Sequence, residues 1–106
     1  MNGDDFRTMA LEFPGTETVP HFERIGFKAA KRRMFATYLE SDNTANIFLT
    51  PDEQQTFCRI DKASIFPVPN KWGEKGATTF RIEHLDPSIV REALASAYAD
   101  TLKPRK

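Results

Sequence analysis

Between Asn2 and Phe13 a set of apolar side chains recurs at Phe6, Met9, Ala10 and Phe13. These steps of three and four place them on one face of a helix. Asp4 and Asp5 suit the positive end of that helix, and Pro14-Gly15 stops it. The period then shortens. Ile25 to Ala29, Arg33 to Glu40 and Thr44 to Leu49 read as strands, parted by Ala30-Lys31-Arg32 and Ser41-Asp42-Asn43. In the second strand Met34, Ala36 and Tyr38 are expected on one face, with Phe35, Thr37 and Leu39 on the other. Turns this short imply antiparallel hairpins.

Thr50-Pro51-Asp52-Glu53 is a strong helix start, with a capping threonine, proline at the first helical position and a glutamate that reaches back. This helix is expected to run to about Ile60, carrying Phe57, Cys58 and Ile60 inward. Phe66 to Gly76 holds two Pro and two Gly, the mark of an extended segment and loop. Ala77 to Glu83 reads as a last strand. Asp86-Pro87 then opens a helix whose Ile89, Val90, Ala93, Leu94, Ala97, Tyr98 and Leu102 form a continuous apolar stripe. The fold class is α+β: a two-layer antiparallel sheet with helices on one face, in the order α-β(3)-α-β(2)-α.

Composition narrows the functional classes. The chain has 106 residues, 15 Lys+Arg against 15 Asp+Glu, and 40% apolar residues, which fits one globular domain over 1–106. No apolar run approaches the roughly 18 residues that span a bilayer, and the start of the chain is acidic where a signal peptide is basic. One cysteine forms neither an internal disulfide nor a cysteine-based zinc site. A cytoplasmic location is expected, with no membrane partner.

Four blocks in order resemble the MmcQ/YjbR family of small bacterial proteins: Glu12-Phe13-Pro14-Gly15-Thr16-Glu17, Pro20-His21-Phe22 leading to Gly26-Phe27-Lys28, Met34-Phe35-Ala36-Thr37, and Phe66-Pro67-Val68-Pro69-Asn70-Lys71-Trp72-Gly73. The resemblance covers nearly the whole chain, and the Leu49-to-Gln54 helix start sits where that family has one. It implies a compact two-layer fold, described as CyaY-like or secretion-chaperone-like. It also implies a DNA-binding role in which projecting β-hairpins act as wings along the duplex. Family members often carry Gly-Lys at the hairpin where this chain has Ala30-Lys31-Arg32-Arg33, and an aromatic where it has Ala77.

Charge is the most informative local feature. From Arg24 to Leu39 there are five basic residues, Arg24, Lys28, Lys31, Arg32 and Arg33, and no acid. A basic hairpin tip contacts phosphates without reading sequence. The competing reading is that these charges keep an exposed hairpin soluble. Lys71 and Lys75 flank the single tryptophan, Trp72, which either stacks on a base or folds back onto the core. The usual burial of Trp favours the core. Lys103, Arg105 and Lys106 form a second basic cluster, read as a frayed terminus.

Enzymatic activity is not expected. Cys58 sits on an inner helix face beside Phe57, and neither His21 nor His84 has a ligand at the spacing zinc sites use. The CyaY-like shape raises an iron-binding reading, but the first helix offers only Asp4, Asp5 and Glu12, the first two explained by capping. No cofactor or metal is expected. Weak, non-specific binding of double-stranded DNA is the leading function, through candidate residues Arg24, Lys28, Lys31, Arg32, Arg33, Lys71, Trp72 and Lys75. The alternative is an adaptor for a protein or peptide, built as a monomer or weak homodimer.

Overall fold

The computed structural model describes residues 1–103. Its elements are α1 (Gly3–Leu11), β1 (Thr16–His21), β2 (Arg24–Ala29), β3 (Met34–Leu39), β4 (Thr44–Phe48), α2 (Pro51–Cys58), β5 (Ile65–Pro67), α3 (Lys71–Glu74), β6 (Ala77–Arg81) and α4 (Pro87–Leu102). A single 3-10 turn, Ile82–His84, joins β6 to α4. The strands form one antiparallel sheet in the order β1-β2-β3-β4-β6-β5.

The caps of α2 and α4 are those the sequence announces, and Thr50 and Glu53 close a reciprocal capping box on α2. On α1, Asn2 caps rather than begins the helix, and it closes a second such box with Asp5. Asp86 caps α4 by accepting from the Ser88 amide, with Pro87 at the first helical position.

Cross-strand partners share a face, so the register sorts the side chains. One row runs Phe27, Ala36, Ile47 and Thr78; the next runs Ile25, Tyr38, Ala45, Phe80 and Ile65. Phe27, Ala36, Ala45, Ile47, Ile65, Thr78 and Phe80 have essentially no exposed surface. Helices cover this face. Phe6 of α1 lies against Phe27 and Tyr38, Phe57 of α2 meets Phe80 edge-on, and Tyr98 of α4 contacts Phe35. The α+β class and the one-sided packing stand as expected, with one strand and one short helix more than the sequence pattern indicates.

Three local readings are corrected. Thr16–His21, to which the sequence pattern assigns no element, is an edge strand. Register slips at Phe27/Lys28, where Lys28 faces Met34 and Phe27 faces Ala36. That bulge leaves Phe35 unpaired and turns it into the core, so Phe35 and Ala36 are both fully buried instead of alternating. In α2, Phe57 points inward, but Cys58 is half-buried and Ile60 lies beyond the helix, exposed.

Leu94 is completely buried on α4. Leu94→Ala should lower stability by about 2–5 kcal/mol in thermal or urea melts. An unchanged melt would mean that the α4 stripe does not carry the core.

Burial, opposed by the hydrogen bond from the Thr50 amide, combines with the neighbouring Asp100 to hold the Glu53 carboxyl above its ordinary range. A carboxyl raised in the folded state penalises folding while it is ionised, and the penalty fades as pH falls toward the ordinary value of 4.5. Glu53→Gln keeps the cap and removes the charge. It should gain about 0.5 kcal/mol at neutral pH, the scale of a solvent-screened pair, and lose that advantage near pH 4. Urea midpoints at the two pH values check this; an equal or larger advantage at pH 4 would refute it.

Candidate nucleic-acid interface and the open face of the sheet

β2 and β3 are joined by Ala30–Arg33, and the Arg32 amide donates to the Ala29 carbonyl across the turn. Lys31 takes a left-handed backbone at φ 64°, a conformation that favours glycine. Lys31, Arg32 and Arg33 are all exposed.

The Trp loop is built by close backbone contacts. A Cβ on Gly73 would lie 1.7 Å from the Val68 carbonyl oxygen, and one on Gly76, at φ 117°, 1.8 Å from that of Leu49. Both positions therefore require glycine. Asn70 starts α3 by accepting from the Trp72 amide at 2.8 Å. The buried Gln54 of α2 holds the loop from beneath. Its Nε2 reaches the Gly73 carbonyl at 2.9 Å, and the Ala77 carbonyl and Thr78 hydroxyl each at 3.1 Å. Sequence reasoning missed Gln54; its one signal was a polar residue on the inner face of an amphipathic helix.

Trp72 is 66% exposed, which corrects the expectation that it packs in the core. Gly73 occupies the buried position of that helical turn, and its lack of a side chain is what lets α3 sit on Val68. The Lys75 ammonium lies 5.3 Å from the Trp72 ring centroid, within cation–π range.

Register brings these two features to one end of the sheet. Lys28 pairs with Met34, Ala36 with Ile47, and Phe48 with Ala77, so the β2–β3 turn and the Gly76 end of the Trp loop lie on the same side. Two strand spacings, about 10 Å, separate β3 from β6. Among the described residues, Lys31, Arg32, Arg33, Lys71 and Lys75 form no salt bridge. Lys103 belongs to the same end but is paired with Asp100 at 3.2 Å. Arg105 and Lys106 lie outside the described residues.

The other two candidates separate from this group. Lys28 lies along β2 and approaches Glu17 at 3.9 Å. Arg24 starts β2 at the far end, beside the hairpin tip of Phe22 and Glu23. Its Nε donates to the Thr37 hydroxyl at 2.8 Å, while its Nη2 is shielded from solvent with no hydrogen-bond partner. Burial pulls the guanidinium below its ordinary pKa, against the opposing fields of Asp42 and Glu23.

Arg24 borders a depression of about 520 Å³ on the sheet face that the helices leave open. Arg81, Asn46, Thr79, Phe66 and Val68 contribute to it. Of the groups read against catalysis, Cys58 has its thiol pushed up by burial, the reverse of what activates a nucleophile. His84 lies near Glu83 and Arg81, and His21 against Phe22. Among the described residues, no three or more His, Cys, Asp or Glu side chains gather to hold a metal ion. Among the described residues, no helix is long and apolar enough to cross a membrane.

A six-stranded antiparallel sheet, covered on one face, with a basic hairpin tip and a Pro/Gly-stiffened Trp loop, defines a small α+β class. Residues 11–100 match the YjbR family, and the chain belongs to it. The crystal structure of a Deinococcus radiodurans protein with a DUF419 domain shares the fold at a TM-score of 0.81 and 23% identity, over 96% of this chain and 79% of that one. None of the curated proteins compared matches the chain.

Gln54→Ala would remove the buried amide that bridges the Gly73 and Ala77 carbonyls and the Thr78 hydroxyl beneath the Trp loop. It should cost about 1–3 kcal/mol in urea denaturation, the scale of about two buried hydrogen bonds. A cost near zero would mean that the glutamine does not hold the loop.

Proposed function

We propose that this protein binds nucleic acid weakly and without sequence preference, through the end of the sheet that carries the β2–β3 turn and the Trp loop. The observation behind this reading is the pairing of an exposed Trp72, overlaid by Lys75, with exposed Lys31, Arg32 and Arg33 at the same end. Lysine and arginine supply phosphate contacts, and an exposed indole offers a π-face to a base at a fray, bulge or single-stranded stretch. Duplex DNA is the expected substrate for the hairpin tip. No chemical step is assigned to this surface; its role is binding. Zero net charge limits long-range attraction, so the affinity is low.

The adaptor alternative by strand addition has less support. Both sheet edges carry a proline, Pro20 on β1 and Pro67 on β5, and proline removes the donor that an added strand needs.

Fluorescence anisotropy over a salt series tests the proposal. Each phosphate contact contributes about −0.9 to the slope of log affinity against log salt, so three to five contacts give about −2.7 to −4.5. Reversing charge at Arg32 and Arg33 together should flatten the slope by about two units, weaken all sequences alike and leave the fold intact. Trp72 emission should be quenched on binding. Undetectable binding at low salt, or binding indifferent to the charge reversal, would remove this interface.

A further inference from the structure

The depression on the open face lies away from the basic tip, and its chemistry is different. Register sets Thr37, Asn46, Thr79 and Phe66 in one row across β3, β4, β6 and β5. Arg81 and Thr44 pair in the next row. Phe66, Val68 and Pro69 make one wall apolar. The polar residues are partly committed to each other. The Thr79 hydroxyl donates to Asn46 Oδ1 at 2.8 Å, leaving the Asn46 amide NH2 for another acceptor. Asp42, also at the rim, accepts at one oxygen from both the amide and the hydroxyl of Thr44.

Arg24 is the unbalanced group. Its Nε is held by Thr37, which fixes the guanidinium plane, while its Nη2 is sheltered from water and meets no acceptor. A sheltered donor without a partner costs free energy, and a charged one costs more. An anion seated in the depression, against the part of Arg24 that lines it, offsets the loss of hydration by charge attraction.

We propose that this depression binds the carboxylate of a small molecule, with Arg24 and Arg81 receiving the carboxylate and Phe66, Val68 and Pro69 receiving an apolar body. The exposed Arg81 presents a guanidinium fork, which matches a carboxylate in geometry, and Arg24 adds charge where it lines the depression. Asp42 at the rim disfavours a dianion more than a monoanion, which selects carboxylate over a phosphate monoester. The volume falls within the roughly 300–1,000 Å³ of small-molecule sites.

Phenylacetate is the probe, titrated at neutral pH and followed by amide chemical shifts of the labelled protein. Saturable shifts should cluster at Thr37, Asn46 and Thr79, and neutral phenylacetamide should produce none. Arg24→Gln should weaken binding by about tenfold or more, the effect of losing a charged hydrogen bond. Arg81→Gln is the second variant and should weaken it several-fold; its exposed position leaves the fold untouched and decides the matter if Arg24→Gln fails to fold. Charge reversal at Arg32 and Arg33 should leave phenylacetate binding unchanged, which separates this site from the nucleic-acid surface. Absence of saturable shifts, equal response to the amide, or wild-type affinity in a folded Arg24 variant and in the Arg81 variant would overturn the proposal.

Discussion

A strand presents alternate side chains to opposite faces, and here all the apolar rows must be given to the same side. Phe27, Ala36, Ile47, Tyr38, Ala45, Phe80 and Ile65 form one continuous surface that α1, α2 and α4 cover. Burying that surface is the largest favourable contribution available to a chain of this size. With the helices committed to one face, the opposite face keeps Arg24, Thr37, Asn46, Thr79 and Arg81. The connections at the sheet ends keep the remaining chemistry. Both candidate surfaces exist because the core is one-sided.

Elements with a strong local period were readable from the chain alone. The three- and four-residue steps of α1 and α4, and the capping box that begins α2, report on structure within a few residues of themselves. β1 was not readable. Thr16–His21 has no alternation to offer because it is an edge strand, mostly half-exposed on both sides, and it contains Pro20. The bulge at Phe35 was hidden for another reason. A strand pattern assumes constant register, whereas the demand for Phe35 beneath Phe13 and Tyr98 belongs to residues far away in sequence.

The same distinction separates the two candidate surfaces. Lys31, Arg32 and Arg33 are adjacent in the chain, so their clustering was visible, and only their meeting with Trp72 at one sheet end required the strand order. Exposure of Trp72 follows from a backbone constraint. Gly73 and Gly76 are pressed against carbonyls of Val68 and Leu49, which fixes the turn with the indole outward. The open-face depression left no trace in the sequence because its row takes one residue from each of four strands, spread from Thr37 to Thr79.

The three hairpin turns show where the chain accepts strain. Each holds one non-glycine residue at positive φ: Phe22 at 58°, Lys31 at 64° and Asn43 at 54°. Asn43 suits that conformation, and its side chain also accepts from the Tyr38 hydroxyl at 2.6 Å, so this turn is arranged for stability. The other two are not. A left-handed backbone costs a residue such as lysine or phenylalanine about 1–2 kcal/mol, which glycine would relieve. Lys31 holds a charge at the basic tip, and Phe22, 95% exposed, holds an aromatic ring at the hairpin tip beside Arg24. Neither side chain repays that cost by burial. The strain thus falls at the two turns whose left-handed residue projects its side chain out of the fold. The Asn43 turn, which borders the open-face depression through Asp42 and Thr44, is relaxed because its left-handed residue bonds within the fold. That distribution is expected when side chains at turns are retained for contact with something outside the fold.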